Sequence, residues 1–298
     1  MLRHFSVLIV IVSVVAPKLS AVDRISWPHR SGPAMDGHVA SVDAAGLPVE
    51  FSEATGQNVL WKTPLEQIGN STPVIGQGRV WFTSATPDGK QQFVDCVDSE
   101  TGEVLHHNLL FENAEPESLN NDINTYASPS CVLESDAVYV HFGEYGTARL
   151  NPQSSDVVWE RRDLKCRHYR GPGSSPVIFE DLLILTFDGV SAQYLIALNK
   201  ATGETVWKTD RTTDYGDLDN EGKPKREGDL RKAFGTPGLM TVDGSVQLIS
   251  IGSRAAFGYD VRTGREIWTV RHGDFNACAP LLFRRHGDTN TATALKPT

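Results

Sequence analysis

Asn199-Lys-Ala-Thr-Gly203-Glu-Thr-Val-Trp207 is the stretch on which the fold turns. It returns as Asp260-Val-Arg-Thr-Gly264-Arg-Glu-Ile-Trp268, and twice more in altered form. In Asn151-Pro-Gln-Ser-Ser155-Asp-Val-Val-Trp159 a Ser replaces the Gly; in Asp98-Ser-Glu-Thr-Gly102-Glu-Val-Leu-His106 a His replaces the Trp. An outlying copy, Thr55-Gly56-Gln-Asn-Val-Leu-Trp61, carries one extra residue between Gly and Trp. The phrase has a physical logic. Asp or Asn bonds its own backbone two residues on, Gly supplies a left-handed turn, and Trp is a large apolar body with one N–H to satisfy.

Working outward, each phrase follows a small residue joined to proline: Thr72-Pro73, Ser128-Pro129, Ser175-Pro176 and Thr236-Pro237, with a fifth pair at Ala279-Pro280. Between marker and phrase lie short β-branched runs, among them Val80–Thr83, Ala137–Val140, Leu182–Thr186, Tyr194–Leu198 and Val246–Ser250. Each is strand-length and turn-bounded, and none keeps a helical period. Four strands in about 45 residues, repeated, make the blades of an all-β propeller. Trp61, Trp159, Trp207 and Trp268 are expected to dock adjacent blades. Four full blades are expected, plus a fragment begun by Leu281-Leu282-Phe283, because residues 284–291 offer no second apolar strand. The expected ring is therefore incomplete, with unpaired strand edges that favour aggregation or a longer parent chain.

The repeated A/V-x-N/D-x-x-T-G-x-x-x-W phrase resembles the Trp-docking repeat of the pyrroloquinoline-quinone-like (PQQ-like) β-propeller family over roughly residues 55–280. Trp27-Pro28-His29-Arg30-Ser31-Gly32-Pro33 and Arg170-Gly171-Pro172-Gly173-Ser174-Ser175-Pro176 resemble a secreted, uncharacterised branch of it. The resemblance implies two function classes. Quinoprotein dehydrogenases of the family hold a quinone and Ca²⁺ over the channel mouth, with a carboxylate base and often an adjacent Cys-Cys disulfide. Other members bind no quinone and serve as scaffolds. This chain has no adjacent Cys pair, and no base or ligand set aligns residue by residue.

No G-x-S-x-G, H-E-x-x-H, P-loop or dinucleotide phrase occurs at the required spacing. Asp217-Leu-Asp219-Asn220-Glu221-Gly222 looks like the start of a calcium loop, but Gly228 stands where the twelfth-position glutamate belongs, so a solvated acidic loop is expected instead. No catalytic residue and no metal ligand is assigned. What remains is the placement of the connections 107–127, 160–174, 208–235 and 269–278, which gather on one face of a propeller. They bring Asn124, His168, Arg170, Arg231, Lys232, His272 and Asp274 toward the channel mouth as candidate ligand-binding residues, against the alternative of ordinary solvated loops. The connection 208–235, rich in Gly and charge, is expected to be a mobile surface loop.

Composition bounds the rest. The chain has 298 residues, 40% hydrophobic and 22% charged, enough for a real core. A net charge of −9 makes nucleic acid an improbable partner. Residues 1–21, with Arg3, an apolar run over 5–16 and Ala21, have the form of an export signal, with an uncleaved anchor as the alternative. Residues 22–54 then form an N-terminal extended segment before the propeller at 55–298. No transmembrane segment is expected after cleavage, and the destination is periplasmic or extracellular. Cys96, Cys131, Cys166 and Cys278 include no C-x-x-C pair and are expected mainly as small buried residues, their pairing left open. The sequence supports an exported propeller that binds a protein or small-molecule ligand; the rival is a quinone- and calcium-dependent alcohol or sugar dehydrogenase.

Overall fold

The computed structural model describes residues 26–39, 45–119, 123–275, 277–278, 285–286 and 289–292. The export signal and the start of a fifth blade at 281–283 lie outside these residues. Sixteen strands form four antiparallel sheets of four, each in simple sequence order. Blade 1 holds β1 (Val74–Gly76), β2 (Arg79–Ala85), β3 (Gln91–Asp98) and β4 (Val104–Glu112). Blade 2 holds β5 (Val132–Glu134), β6 (Ala137–His141), β7 (Thr147–Leu150) and β8 (Val157–Arg161). Blade 3 holds β9 (Val177–Phe179), β10 (Leu182–Asp188), β11 (Gln193–Asn199) and β12 (Thr205–Asp210). Blade 4 holds β13 (Gly238–Val242), β14 (Ser245–Ile251), β15 (Ala255–Asp260) and β16 (Glu266–Arg271). A further short pair, β17 (Arg285–His286) and β18 (Thr289–Ala292), is polar in sequence, in keeping with the absence of a second apolar strand there.

The first strands stand at the axis. Thr72 N–H donates to Ser130 Oγ at 2.8 Å, Ser130 N–H to Ser175 Oγ at 2.9 Å, and Ser175 N–H to Thr236 Oγ1 at 3.0 Å. This relay explains the small residue of the marker: each blade's hydroxyl accepts from the preceding blade's backbone. It also shifts the blade 2 marker from Ser128-Pro129 to Ser130-Cys131, so Cys131 occupies the proline position there.

Successive side chains of a strand face opposite ways, so a strand between two blades must be apolar on both faces. On β10, Leu182 and Ile184 pack toward Leu248 and Phe257 of blade 4, whereas Leu183, Leu185 and Phe187 pack toward Ala137 and Tyr139 of blade 2. The core is thus three interblade layers. Cys96, Cys131 and Cys166 are buried in these layers, Cys278 is exposed, and none of the four is in a disulfide among the described residues. Burial pushes the Cys96 thiol up to about 12, so it is an inert packing group.

All four phrases fold alike. The first residue's side chain caps its own turn: Asn199 Oδ1 accepts from Ala201 and Thr202 N–H at 3.0 and 3.1 Å. Gly203 then takes φ +76°. In every blade the strand register slips one residue before the aromatic, between Ala197 and Leu198 in blade 3 and between Gly258 and Tyr259 in blade 4. That bulge re-aims the ring, and it leaves the apolar neighbour Val206 half exposed.

The re-aimed Trp docks on the next blade's phrase. Trp61 Nε1 donates to Ser99 O at 3.1 Å, Trp159 Nε1 to Lys200 O at 3.0 Å, and Trp207 Nε1 to Val261 O at 3.1 Å. Each acceptor follows the capping Asp or Asn by one residue. A methyl built on Gly102, Gly203 or Gly264 would stand 2.6, 2.8 or 2.6 Å from the Cδ2 of the docked indole. Trp268 donates to Gln247 Oε1 of its own blade at 2.8 Å and covers Gly258, and the start of a following blade lies outside the described residues.

Candidate functional site

The connections between blades do gather on one face, and part of the expected cluster forms there. Asn124 Nδ2 donates to the carbonyls of Arg170 and Pro172 at 2.6 and 3.1 Å, joining the first connection to the second. Tyr169 joins the second to the third: Arg170 lies 5.1 Å and Lys232 Nζ 5.6 Å from its ring. Lys232 has a side chain only 2% exposed, paired with Asp229. Burial, with the Arg170 charge second, lowers its ammonium to about 8.

The other candidates are placed apart from this cluster. Arg231 grips Asp217 through two bonds of 2.9 and 2.8 Å, and this bond holds the Asp217 carboxyl below the usual range. His272 and Asp274 close a turn over Arg254, whose N–H donates to Asp274 O while its carbonyl accepts from His272 N–H. His168 is buried, stacked 6.2 Å from Phe187, and desolvation drives its pKa down to about 4. Its Nε2 has no partner and faces Gly143, where a methyl would stand 2.7 Å away. It is a neutral packing group.

The third connection is exposed over 218–227 and anchored at its C-terminal end by Ala233 N–H to Asp188 O at 3.0 Å, Phe234 N–H to Ala277 O at 2.7 Å, and Ser253 Oγ to Leu230 O; the expectation of a solvated acidic stretch is corrected at Asp217. Asp217 is buried in an ion pair, and Asp219 caps its own turn through Glu221 and Lys223 N–H, so the acidic stretch is architecture as well as surface. Composition does not separate a paired loop charge from a solvated one.

The quinone and calcium implied by the resemblance would need converging carboxylates and amides. Among the described residues no three His, Cys, Asp or Glu side chains converge to hold an ion. Asp188, the buried carboxylate of blade 3, is closed by Arg211 through bonds of 3.0 and 2.6 Å, and Arg211 is held further by Ser250 at 2.8 Å. These residues do not make a quinone–calcium site.

A different surface was not found from the sequence. In the segment leading into blade 1, Leu47, Val49, Phe51, Leu60 and Leu65 are 61%, 98%, 80%, 88% and 54% exposed. Leu65 lines a groove of about 250 Å³ with Trp61, Val80, Phe82 and Val97, among others. The segment around Trp61 docks as a fourth strand does, with Thr63 Oγ1 donating to Gly102 O at 2.6 Å just as Thr209 Oγ1 donates to Gly264 O at 2.7 Å. Yet no backbone N–H over 60–67 meets a carbonyl among the described residues. Among the described residues this strip is an apolar, unpaired edge. The signal available in the sequence was the apolar spacing of Leu47, Val49 and Phe51 ahead of the first phrase.

No curated protein matches the chain. Among solved structures it is similar to a quinohemoprotein alcohol dehydrogenase from Comamonas testosteroni, with TM-score 0.63 and 14% identity over 90% of this chain and 45% of that one. It is also similar to BamB from Moraxella catarrhalis, with TM-score 0.52 and 18% identity over 76% of this chain and 59% of that one. A europium-containing methanol dehydrogenase gives TM-score 0.51 and 10% identity over 92% of this chain and 62% of that one. The chain spans less than two thirds of each of these proteins, and at such identities the likeness establishes the propeller fold alone. The family model described as outer membrane protein assembly factor BamB matches residues 13–167 and 191–285, most of the chain. The chain belongs to that family of PQQ-type repeats.

Proposed function

We propose that the chain is an exported interaction module that binds a protein partner on the free flank of blade 1. The observation that carries this reading is the strip over 47–65, where five large apolar side chains are exposed and, among the described residues, no backbone N–H over 60–65 is paired with a carbonyl. A partner presenting a β-strand would pair with residues 60–63 and cover Leu60, Leu65 and the groove over Phe82. The family's description as an assembly factor is in keeping with a protein partner. Export rests on the signal-like residues 1–21, and among the described residues no helix is long and apolar enough to cross a membrane. The polar residues at the mouth support this reading by being spent on one another: Arg231 on Asp217, Lys232 on Asp229, Asn124 on backbone carbonyls.

The test is a photo-crosslinking side chain at Leu60, compared with the same group at Glu160 on the blade 2 rim. Expected is a partner adduct at position 60 only, lost in Leu65→Asp, with the purified partner binding that variant at least ~10-fold more weakly. Adducts at neither position, or adducts indifferent to Leu65→Asp, overturn the proposal. Adducts of the chain with itself alone would assign the flank to a second copy instead.

A further inference from the structure

We infer that residues 27–37 are a built-in peptide ligand of the propeller axis, seated in a site made by the first strands of all four blades and holding those blades together. Expected as part of an extended segment, these residues are compact. Gly32 N–H donates to His29 O at 3.0 Å, Met35 N–H to Gly32 O at 3.1 Å, and Gly37 N–H to Ser31 O at 2.8 Å. Gly32 has φ +80°, and a methyl there would stand 2.7 Å from Trp27 Cη2, so the turn closes over the indole only with glycine. A unit that bonds itself this way needs little from the rest of the chain to keep its shape.

The site is equally specific. Trp27 exchanges both backbone bonds with Ile75 of β1, N–H to O at 2.7 Å and O from N–H at 2.9 Å, as one antiparallel pair. Pro28 has no N–H to continue a ladder, and its carbonyl accepts from Leu133 N–H at 2.9 Å. Leu133 stands in β5 where Ile75 stands in β1, so one dipeptide satisfies equivalent donors of blades 1 and 2. Past the turn, Met35 packs against the core shared by blades 3 and 4, as do Phe179 and Leu239. A void of about 30 Å³ there, no larger than one water needs, is closed by Ser31 and Met35 on one side and Pro176 and Pro237 on the other. Eleven residues thus bond to β1 and β5 and share a void with Pro176, just ahead of β9, and with Gly238 of β13, while β1, β5 and β9 have only three residues each with which to hold the axis.

The experiment places a specific protease site at 40–44 and cuts the folded, full-length chain. Expected is an N-terminal fragment that stays bound through gel filtration and exchanges saturably with a labelled synthetic peptide of residues 26–38. The same peptide carrying Trp27→Ala should not compete. If the fragment leaves, the melting temperature should fall and recover on adding the peptide; departure with an unchanged Tm, or a fall that the peptide does not reverse, overturns the inference. In the uncut chain Trp27→Ala should lower Tm by roughly 5 °C or more, and an unchanged Tm there would also overturn it.

Discussion

Gly264→Ala tests the docking of one blade on the next more sharply than removal of the Trp itself. Gly264 has φ +70°, and its built methyl falls 2.6 Å from Trp207 Cδ2. Trp207 is 8% exposed and its Nε1 is bonded to Val261 O at 3.1 Å. An alanine therefore carries two costs. The left-handed backbone costs a non-glycine residue about 1 kcal/mol. The indole must retreat by about 1 Å to reach ordinary contact distance. That retreat breaks its hydrogen bond, worth about 1 kcal/mol, and loosens part of the packing whose complete loss in Trp207→Ala would cost about 3–5 kcal/mol. Gly264→Ala should then destabilise by about 3 kcal/mol, a fall in Tm of roughly 6–12 °C for a domain of this size.

The control is Gly244→Ala. Gly244 has φ +78° in the hairpin turn between β13 and β14, with nothing within 4 Å of its built methyl. It meets the backbone cost alone, about 1 kcal/mol or roughly 2–4 °C. Both variants are measured by urea unfolding, followed by Trp fluorescence, and by thermal melts. Equal midpoints for the two would refute the docking argument, because the difference isolates the indole contact.

Two further outcomes follow from buried polar groups. His141 and His168 flank Phe187 and are held by desolvation at about 3 and about 4, below the ordinary 6.5. Their folded values lie below the unfolded one, so the unfolded chain binds protons first and stability falls as pH drops from 6.5 toward these values. Each should cost about 2 kcal/mol at pH 5 relative to pH 7, and His168→Gln should remove its share of that slope; an acid melting profile identical to wild type would count against the assignment. Arg79→Met should loosen the joint between blades 1 and 2 by about 1–2 kcal/mol, read as a lower urea midpoint, and an unchanged midpoint would sink the role argued for Arg79 below.

The blades were legible because the information is local and repeated. Asp or Asn, Thr-Gly and Trp each act within nine residues, and the copies keep one spacing, as in Asn199–Trp207 and Asp260–Trp268. The bulge was hidden for the opposite reason. Val206-Trp207 and Ile267-Trp268 are adjacent apolar pairs, which strand alternation would place on opposite faces, and only the register slip shows that the first residue is turned outward. The mouth cluster was half legible: loop membership predicts a common face, which brings Asn124 to Arg170, but says nothing of which partner each charge will find. Arg231 and Asp217 lie in the same connection and pair with each other, leaving neither for a ligand. The axial peptide is legible in Trp27–Pro33 only as a family resemblance, because its partners Ile75 and Leu133 are distant in sequence and no periodicity connects them to it.

The joint between blades 1 and 2 shows how three departures from the repeat amount to one change. His106 stands where the docking Trp should be, and Ser155 where the receiving Gly should be. Ser155 keeps the turn, with φ +62° and its N–H on Asn151 O at 2.8 Å, so the backbone did not require glycine absolutely. What glycine supplies at the other joints is room for an indole, and with His106 turned onto Trp81 at 5.7 Å no indole arrives. The carbonyl that an indole N–H would satisfy here is Pro152 O, one residue past Asn151. Arg79, reaching across from β2, donates to it and, at 3.2 Å, to Gln153 O. A charged donor from a different strand has therefore taken the hydrogen bond, a histidine has taken the ring position within its own blade, and the freed space has admitted a side chain on the turn. Seen as isolated substitutions, His106 and Ser155 make the repeat degenerate at two places; with Arg79 they are one joint rebuilt with the same acceptor satisfied. The requirement shared by these joints is thus the capped turn's next carbonyl and a filled interblade layer, and Trp with Gly is one of two ways this chain meets it.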